Sequence, residues 1–171
     1  AYTRLLAGQM DYTPGGFLNV TKAQFKKQSP TLVFNTRAAE LAKFVVYESP
    51  FMCFCDHPKN VYGQVGEDFV QQVPTTWDDI HFMGGTPDTY VALAKKSGDK
   101  WYVGGINGTD KPITVTLNLD MFAGKTVKLY ADANKKQGEL WPTSSVKNIK
   151  ISKSGKIKMT IAPMGGIIVN E

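Results

Sequence analysis

The chain has 171 residues, two cysteines, a net charge of +5 and 42% apolar residues. That length fits one domain or two small ones, and the apolar fraction supports a packed core rather than a disordered chain. No apolar run approaches the roughly 18 residues a membrane-spanning helix needs, so a membrane partner is not expected. The sequence starts on Ala1 rather than Met and shows no signal peptide, as expected of a processed or truncated product.

Tyr2–Met10 reads as a buried strand, closed by the turn cluster Asp11-Tyr12-Thr13-Pro14-Gly15-Gly16. Phe17–Pro30 is polar and lysine-rich and reads as a long excursion with a short helix, a kind of connection that is often functional. Thr36–Asp56 organises the first half. Ala38, Leu41, Ala42 and Val45 fall at helical spacing, and Asn35 or Thr36 can cap the start. Arg37, Glu40, Lys43 and Glu48 are expected near the solvated side, with Arg37–Glu40 and Glu40–Lys43 pairing weakly. Ser49-Pro50 is expected to stop the helix. Phe51–Cys55 is apolar throughout, the pattern of a strand buried on both faces of a parallel sheet. On that reading Cys53 and Cys55 are buried thiols, since neighbours two apart on a strand do not form an easy disulfide and no CxxC or histidine cluster accompanies them. The strand ends on Asp56-His57-Pro58, and residues 58–80 hold a broken helical stretch, clearest at Glu67–Val73, with Trp77 packing on the barrel side.

From Asp88 the pattern changes. Thr89–Ala94, Lys100–Gly105, Ile113–Leu119, Val127–Ala131, Val146–Ile151, Lys156–Ile161 and Ile167–Val169 follow at short spacing between turn residues, as in a small antiparallel β-sandwich. The boundary is expected near Gly84-Gly85-Thr86-Pro87, which puts His81 in a linker. Charge follows the same division. Residues 1–90 hold 7 Lys/Arg against 9 Asp/Glu, and residues 91–171 hold 13 against 6. The lysines of the second half alternate with apolar residues, as in Lys147-Asn148-Ile149-Lys150-Ile151, which reads as a solvated strand face rather than a nucleic-acid surface. The glycine pairs match neither GxGxxG nor a P-loop, so nucleotide binding has no support, and the Asn19 and Asn107 glycosylation patterns are of a kind common by chance.

Two parallel strands and two helices cannot bury both faces of their own sheet. The first 85 residues therefore read as the last two β/α units of a (β/α)8 barrel. The fold class expected is α/β plus all-β, with residues 1–85 the barrel portion and 86–171 the sandwich.

Several separate motifs carry a resemblance. Tyr2–Phe17, YTRLLAGQMDYTPGGF, resembles the MDYTPG segment of glycoside hydrolase family 97. Thr36–Asp56 with its YESP break, VPTTWDD at 73–79 and WYVGGING at 101–108 are similar to the segments that follow in that family. The resemblance implies a (β/α)8 barrel with a C-terminal sandwich, exo-acting hydrolysis of α-glucosides or α-galactosides, a calcium ion in the site, and a periplasmic or secreted bacterial enzyme. It also implies that the acid and calcium-binding glutamates lie in an EGVxGxE-like motif ahead of the MDYTPG segment. This sequence has no such motif, so no catalytic carboxylate is carried over, and calcium and the reacting groups would belong to an N-terminal remainder of the same enzyme.

Within this chain Asp11 and Asp56 stand at expected strand ends. They can line the sugar pocket with Tyr12 as a stacking wall and His57 as a further contact; equally, Asp11 can hold its turn, Asp56 can cap the next helix and His57 can simply precede Pro58. Arg4 is expected in a structural ion pair. Trp101, Tyr102 and Trp141 form either a sugar-stacking platform, as in a carbohydrate-binding or scaffold module, or packing inside the sandwich, the commoner role.

Overall fold

A computed structural model describes residues 1–20, 22–133 and 144–171. Eight strands dominate it: β1 (Asp79–Gly85), β2 (Tyr90–Ser97), β3 (Lys100–Asn107), β4 (Ile113–Asn118), β5 (Thr126–Asp132), β6 (Ser144–Lys150), β7 (Lys156–Ile161) and β8 (Gly166–Asn170). β1, β2, β3, β8, β5 and β6 form one antiparallel sheet in that order, and β4 with β7 forms a second. The seven strands expected from Asp88 onward are all present.

The six-stranded sheet is covered on both faces because its strands alternate two apolar sets. Ala92, Ala94, Val103, Val127, Ile167 and Val169 face the β4–β7 pair and close a core with Val115, Leu117 and Ile161. Tyr102, Ile106, Tyr130 and Ile168 lie in a second core, against Leu41, Ala42, Phe44 and Val45 of helix α1 (Arg37–Val46). Thr36 caps α1 as expected, its hydroxyl accepting from Ala39 N at 3.1 Å. Helix and sheet meet at two glycines. A Cβ on Gly104 would stand 2.7 Å from Val45 Cβ, and one on Gly166 2.5 Å from Ala39 Cα. Opposite Ala39, Ala42 and Val45 no larger residue fits, so sheet and helix specify each other.

The expected barrel strands are not formed. Arg4–Ala7 is a 3-10 turn with Leu6 83% exposed, and Phe51 is 72% exposed. Parallel pairing with the second segment does occur, but through isolated contacts that fall on Met10–Pro14, in the cluster read as a turn, and not along Tyr2–Met10. Met10 N donates to Glu48 O at 3.1 Å, Tyr12 bridges Met52, and Cys55 N donates to Pro14 O at 2.9 Å. A ladder buried on both faces needs strands beyond it and layers above and below, and these residues supply neither. For the same reason Cys53 is exposed and Cys55 half-buried, both as free thiols, rather than sealed in a core.

The sequence reading also missed β1. Asp79–Gly85 pairs with β2 from Asp79↔Lys96 to Gly85↔Val91, with a bulge between Phe82 and Gly84, so the expected linker is the sheet's edge strand. His81 sits on it, paired with Asp79 at 3.0 Å and packed against Trp101. Trp77 packs edge-on to Tyr102 at 5.5 Å, on the sheet rather than on a barrel. Helix α2 (Glu67–Val70) is shorter than the stretch expected, and Phe69 packs on Tyr130.

Two expectations follow. Gly104→Ala drives a methyl into Val45 and lowers stability by about 1–3 kcal/mol, measurable as a lower urea midpoint. The second concerns Asp132. It accepts from Gly166 N at 3.0 Å, its Oδ1 is buried without a hydrogen-bond partner among the described residues, and burial pushes its carboxyl up to about 6. In the pH 4–6 window the folded chain then holds a proton that the unfolded chain has released. Its contribution to stability is greatest below pH 4 and is lost as pH rises to 6. The stability difference between Asp132→Asn and the parent should therefore move in the variant's favour across that window, by on the order of 1–2 kcal/mol, and level off above it.

Candidate functional site

Chemistry-bearing side chains gather where the two parallel segments end. Asp56 closes this point. Its carboxylate accepts from Phe17 N, from His57 N and from Asn60 Nδ2, each at 2.7 Å. It thereby ties the end of one segment to the end of the other, while His57 caps the 3-10 turn Pro58–Asn60. His57 Nδ1 accepts from Lys59 N at 3.2 Å, which assigns that nitrogen as the unprotonated one and leaves Nε2 toward solvent. Beside them lies an open cleft of about 370 Å³ lined by Ser29, Pro30, Thr31, Cys55, Asp56 and His57, with Lys59 at its rim.

Arg37 flanks the same point. Its guanidinium lies 4.5 Å from the Phe17 ring centroid and donates to Phe17 O at 3.3 Å and to Gln64 Oε1 at 3.1 Å. Burial lowers its pKa, and the nearby Asp56 carboxylate opposes that shift. Arg37 therefore braces the turn and does not pair with Glu40 as expected.

Asp11 and Asp56 are not brought together as a pair. Tyr12 stands level with Met52, so Asp11 stands level with Phe51, five residues before Asp56. In extended chain that offset is roughly 16 Å, beyond the 5–9.5 Å over which two carboxyl groups share a glycosidic bond. Asp11 is exposed. The carboxylate that holds its turn is Glu40, which accepts from Gly15 N at 3.0 Å and pairs with Asn35 Nδ2 and Lys43 Nζ.

Glu40 is 3% exposed, so the helix side expected to be solvated is partly interior. The sequence signal was its spacing from Lys43 on the helix, which gives the pair but not its burial. Lys43 in turn sits 5.9 Å from the Tyr12 ring centroid, and Tyr47 meets that ring edge-on at 4.8 Å. Tyr12 is thus held by one aromatic and one cation, with part of its surface exposed.

A second ion pair went unread. Lys95, 1% exposed, donates to Glu48 Oε2 at 2.7 Å and to Tyr47 O at 3.2 Å, and burial lowers its pKa against the pull of Glu48. Glu48 is thus tied to the sheet as a structural group. Arg4 is exposed and donates to the backbone oxygens of Gly8 and Gln9 instead of joining an ion pair. Trp101 is half-buried and Tyr102 buried, so they pack rather than present a platform; Trp141 lies outside the described residues.

The calcium implied by the family resemblance does not fit these residues. Among those described, no three His, Cys, Asp or Glu side chains come together. The Asp56 oxygens are already occupied by three N–H donors.

Comparison with known proteins places this arrangement. Residues 76–170 match the family described as "Glycosyl-hydrolase 97 C-terminal, oligomerisation". The chain is 32% identical over 170 residues to the retaining alpha-galactosidase of Bacteroides thetaiotaomicron, covering 96% of this chain and 25% of that protein. It is 31% identical over 105 residues to a probable retaining alpha-galactosidase of Streptomyces bingchenggensis, covering 61% of this chain and 15% of that one. Among solved structures, a beta-arabinopyranosidase superposes with a TM-score of 0.79 at 32% identity, over 98% of this chain and 26% of that one. A family 97 enzyme from Pseudoalteromonas sp. strain K8 superposes with a TM-score of 0.78 at 24% identity, over 98% of this chain and 27% of that one, which shows the shared fold. The chain thus spans about a quarter of the length of the first relative and of both solved structures. The mostly antiparallel sandwich within residues 76–170 and the match that continues over the residues ahead of it agree: the chain belongs to glycoside hydrolase family 97, as the C-terminal part of such an enzyme.

Proposed function

We propose that these residues complete, rather than perform, the retaining hydrolysis of terminal α-galactoside-type linkages in oligosaccharides. The observation that carries this reading is the 32% identity to a retaining alpha-galactosidase over 96% of the chain. The relative solved as a beta-arabinopyranosidase supports the same sugar class, since a β-L-arabinopyranoside has the ring configuration of an α-D-galactoside without its C6 group. In this reading residues 1–85 belong to the closing part of a (β/α)8 barrel and 86–171 to the sandwich, with β1 contributed from the first portion to the sheet of the second. Asp11, Tyr12, Asp56 and His57 form wall at the sugar pocket. The retaining pair of carboxyl groups, about 5–5.5 Å apart, and the calcium ion are supplied by the N-terminal remainder of the enzyme. The enzyme works in the periplasm or outside the cell. The sandwich serves assembly, as the matched description suggests.

The division of labour follows from what the side chains are doing. A general acid or nucleophile needs a carboxyl group free to exchange a proton or to attack carbon. Asp56 instead accepts three hydrogen bonds that fix the backbone, and His57 keeps only Nε2 for a ligand. Such groups hold a sugar; they do not cleave its bond. His57→Ala in the intact enzyme should raise KM for an aryl α-galactoside about tenfold, near 1.4 kcal/mol of binding, with kcat within about twofold. A fall in kcat of a thousandfold with KM unchanged would put His57 in the chemistry, and absence of galactosidase turnover in the parent enzyme would overturn the substrate class.

A further inference from the structure

The outer face of the six-stranded sheet is only partly covered. Helix α1 lies across β3 and β8, its Ala42 and Val45 against Gly104 and its Ala39 against Gly166. Phe69 and its neighbours cover Tyr130 on β5. On the same face, β1 and β2 present Ile80, Phe82, Val91 and Leu93 to an open groove of about 300 Å³. The register confirms the shared face: Ile80 stands opposite Lys95 and Phe82 opposite Leu93, and the Lys95 ammonium reaches Tyr47 O at the end of α1. Ile80 is 48% and Phe82 60% exposed, on a face that elsewhere forms core. Ala1, Tyr2 and Leu5 complete the groove's wall, with the Tyr2 ring edge-on to Phe82 at 6.3 Å.

We infer that this groove is the seat of a second, amphipathic helix, packed beside α1 and contributed by the part of the same enzyme that lies ahead of Ala1. The inference rests on the barrel reading above and identifies where the barrel grips the sandwich. Spacing supports it. The centre of the β1–β2 pair lies two strands from the centre of the β3–β8 pair, roughly 9.6 Å, and packed helices stand about 8–10 Å apart. The groove is therefore one helix diameter from a helix already seated on the same sheet. Length supports it too: Val91 to Lys95 spans about 13 Å of strand, room for roughly two and a half helical turns. Chain direction adds a third reason. Ala1 itself lines the groove, and in a (β/α)8 barrel the segment Ala1–Met10 follows a helix. The groove is mostly apolar; its charged groups, Glu48 and Lys95, already bond to each other, so the occupant needs an apolar stripe and no buried charge of its own.

The test is photocrosslinking in the intact enzyme with p-benzoylphenylalanine in place of Phe82, followed by peptide mapping. The expected product is an intramolecular crosslink to a helical peptide shortly ahead of Ala1. A covalent dimer would assign the groove to a second copy and overturn the inference, as would a crosslink elsewhere in the chain or none at all. Turnover of an aryl α-galactoside by the same sample, before illumination, separates the two questions. Activity without the expected crosslink refutes the helix seat alone, whereas loss of activity in the unsubstituted enzyme refutes the reading on which it rests. A second variant keeps the outcome readable should the probe disturb folding. Phe82→Lys should lower the melting temperature of the intact enzyme by several degrees, while Val146→Lys, 44% exposed on the opposite edge strand, should leave it within about a degree. Equal effects would contradict an occupied groove.

Discussion

Helix α1 against Gly104 and Gly166 is the contact on which the rest of the molecule depends. An amphipathic helix places Ala38, Leu41, Ala42 and Val45 on one face, and all four are fully buried. The sheet answers with two residues that have no side chain where the helix comes closest. Close approach lets Tyr102, Tyr130 and Ile168 close around the helix and makes a second core out of a sheet face that in a simple sandwich would be wet. The molecule is in effect three layers: a short two-stranded sheet, a six-stranded sheet, and a layer of helix and irregular chain.

Polar groups reinforce that contact at both ends of the helix. At its start, the Thr36 hydroxyl caps the helix, and Asp132 at the end of β5 accepts from Gly166 N, the glycine that Ala39 packs on. Beyond its far end, Lys95 on β2 reaches Tyr47 O and Glu48. Between them Glu40 turns inward and holds the Asp11–Gly16 turn through Gly15 N. The segments that lead to the cleft are thus positioned by the helix, and the helix by the sheet. Asp56 then locks the segment ends to each other, which explains how two stretches without a regular ladder keep a defined geometry.

Much of this was legible in the chain. Strict alternation at Ile113–Leu119 and turn pairs such as Ser154-Gly155 specify strands almost without context, because the second face of each is solvent or a known core. Helix α1 was legible for the same reason, its stripe and cap being local. Leu5–Met10 and Phe51–Cys55 were not, since a continuous apolar run says that a segment is to be buried but not by what. Supplied with no flanking strands, both stay irregular, Phe51–Cys55 meets Tyr12 and Pro14 instead, and Phe51 and Leu6 face outward. β1 was hidden by its two glycines, which read as a boundary yet follow a bulge and pair with Ala92 and Val91 at φ 140° and 116°. At the site, the sequence pointed to Asp56 and His57 but could not choose between wall and cap. The hydrogen bonds around Asp56 tie Phe17 to Asn60 and leave the cap of the turn to His57, and Glu40, read as a surface charge, turned out to hold the turn assigned to Asp11.

The central claim is that this chain gives the enzyme scaffold and pocket wall while the reacting carboxyl groups belong to the remainder. Azide rescue in the intact enzyme tests it most directly, because azide can replace a missing carboxylate nucleophile or base but not a lost structural hydrogen bond. Asp11→Ala should retain kcat within about tenfold, and whatever Asp56→Ala loses through its broken backbone contacts should not return on adding azide. A loss of a thousandfold or more in either variant, restored by azide with formation of a glycosyl azide, would contradict the account.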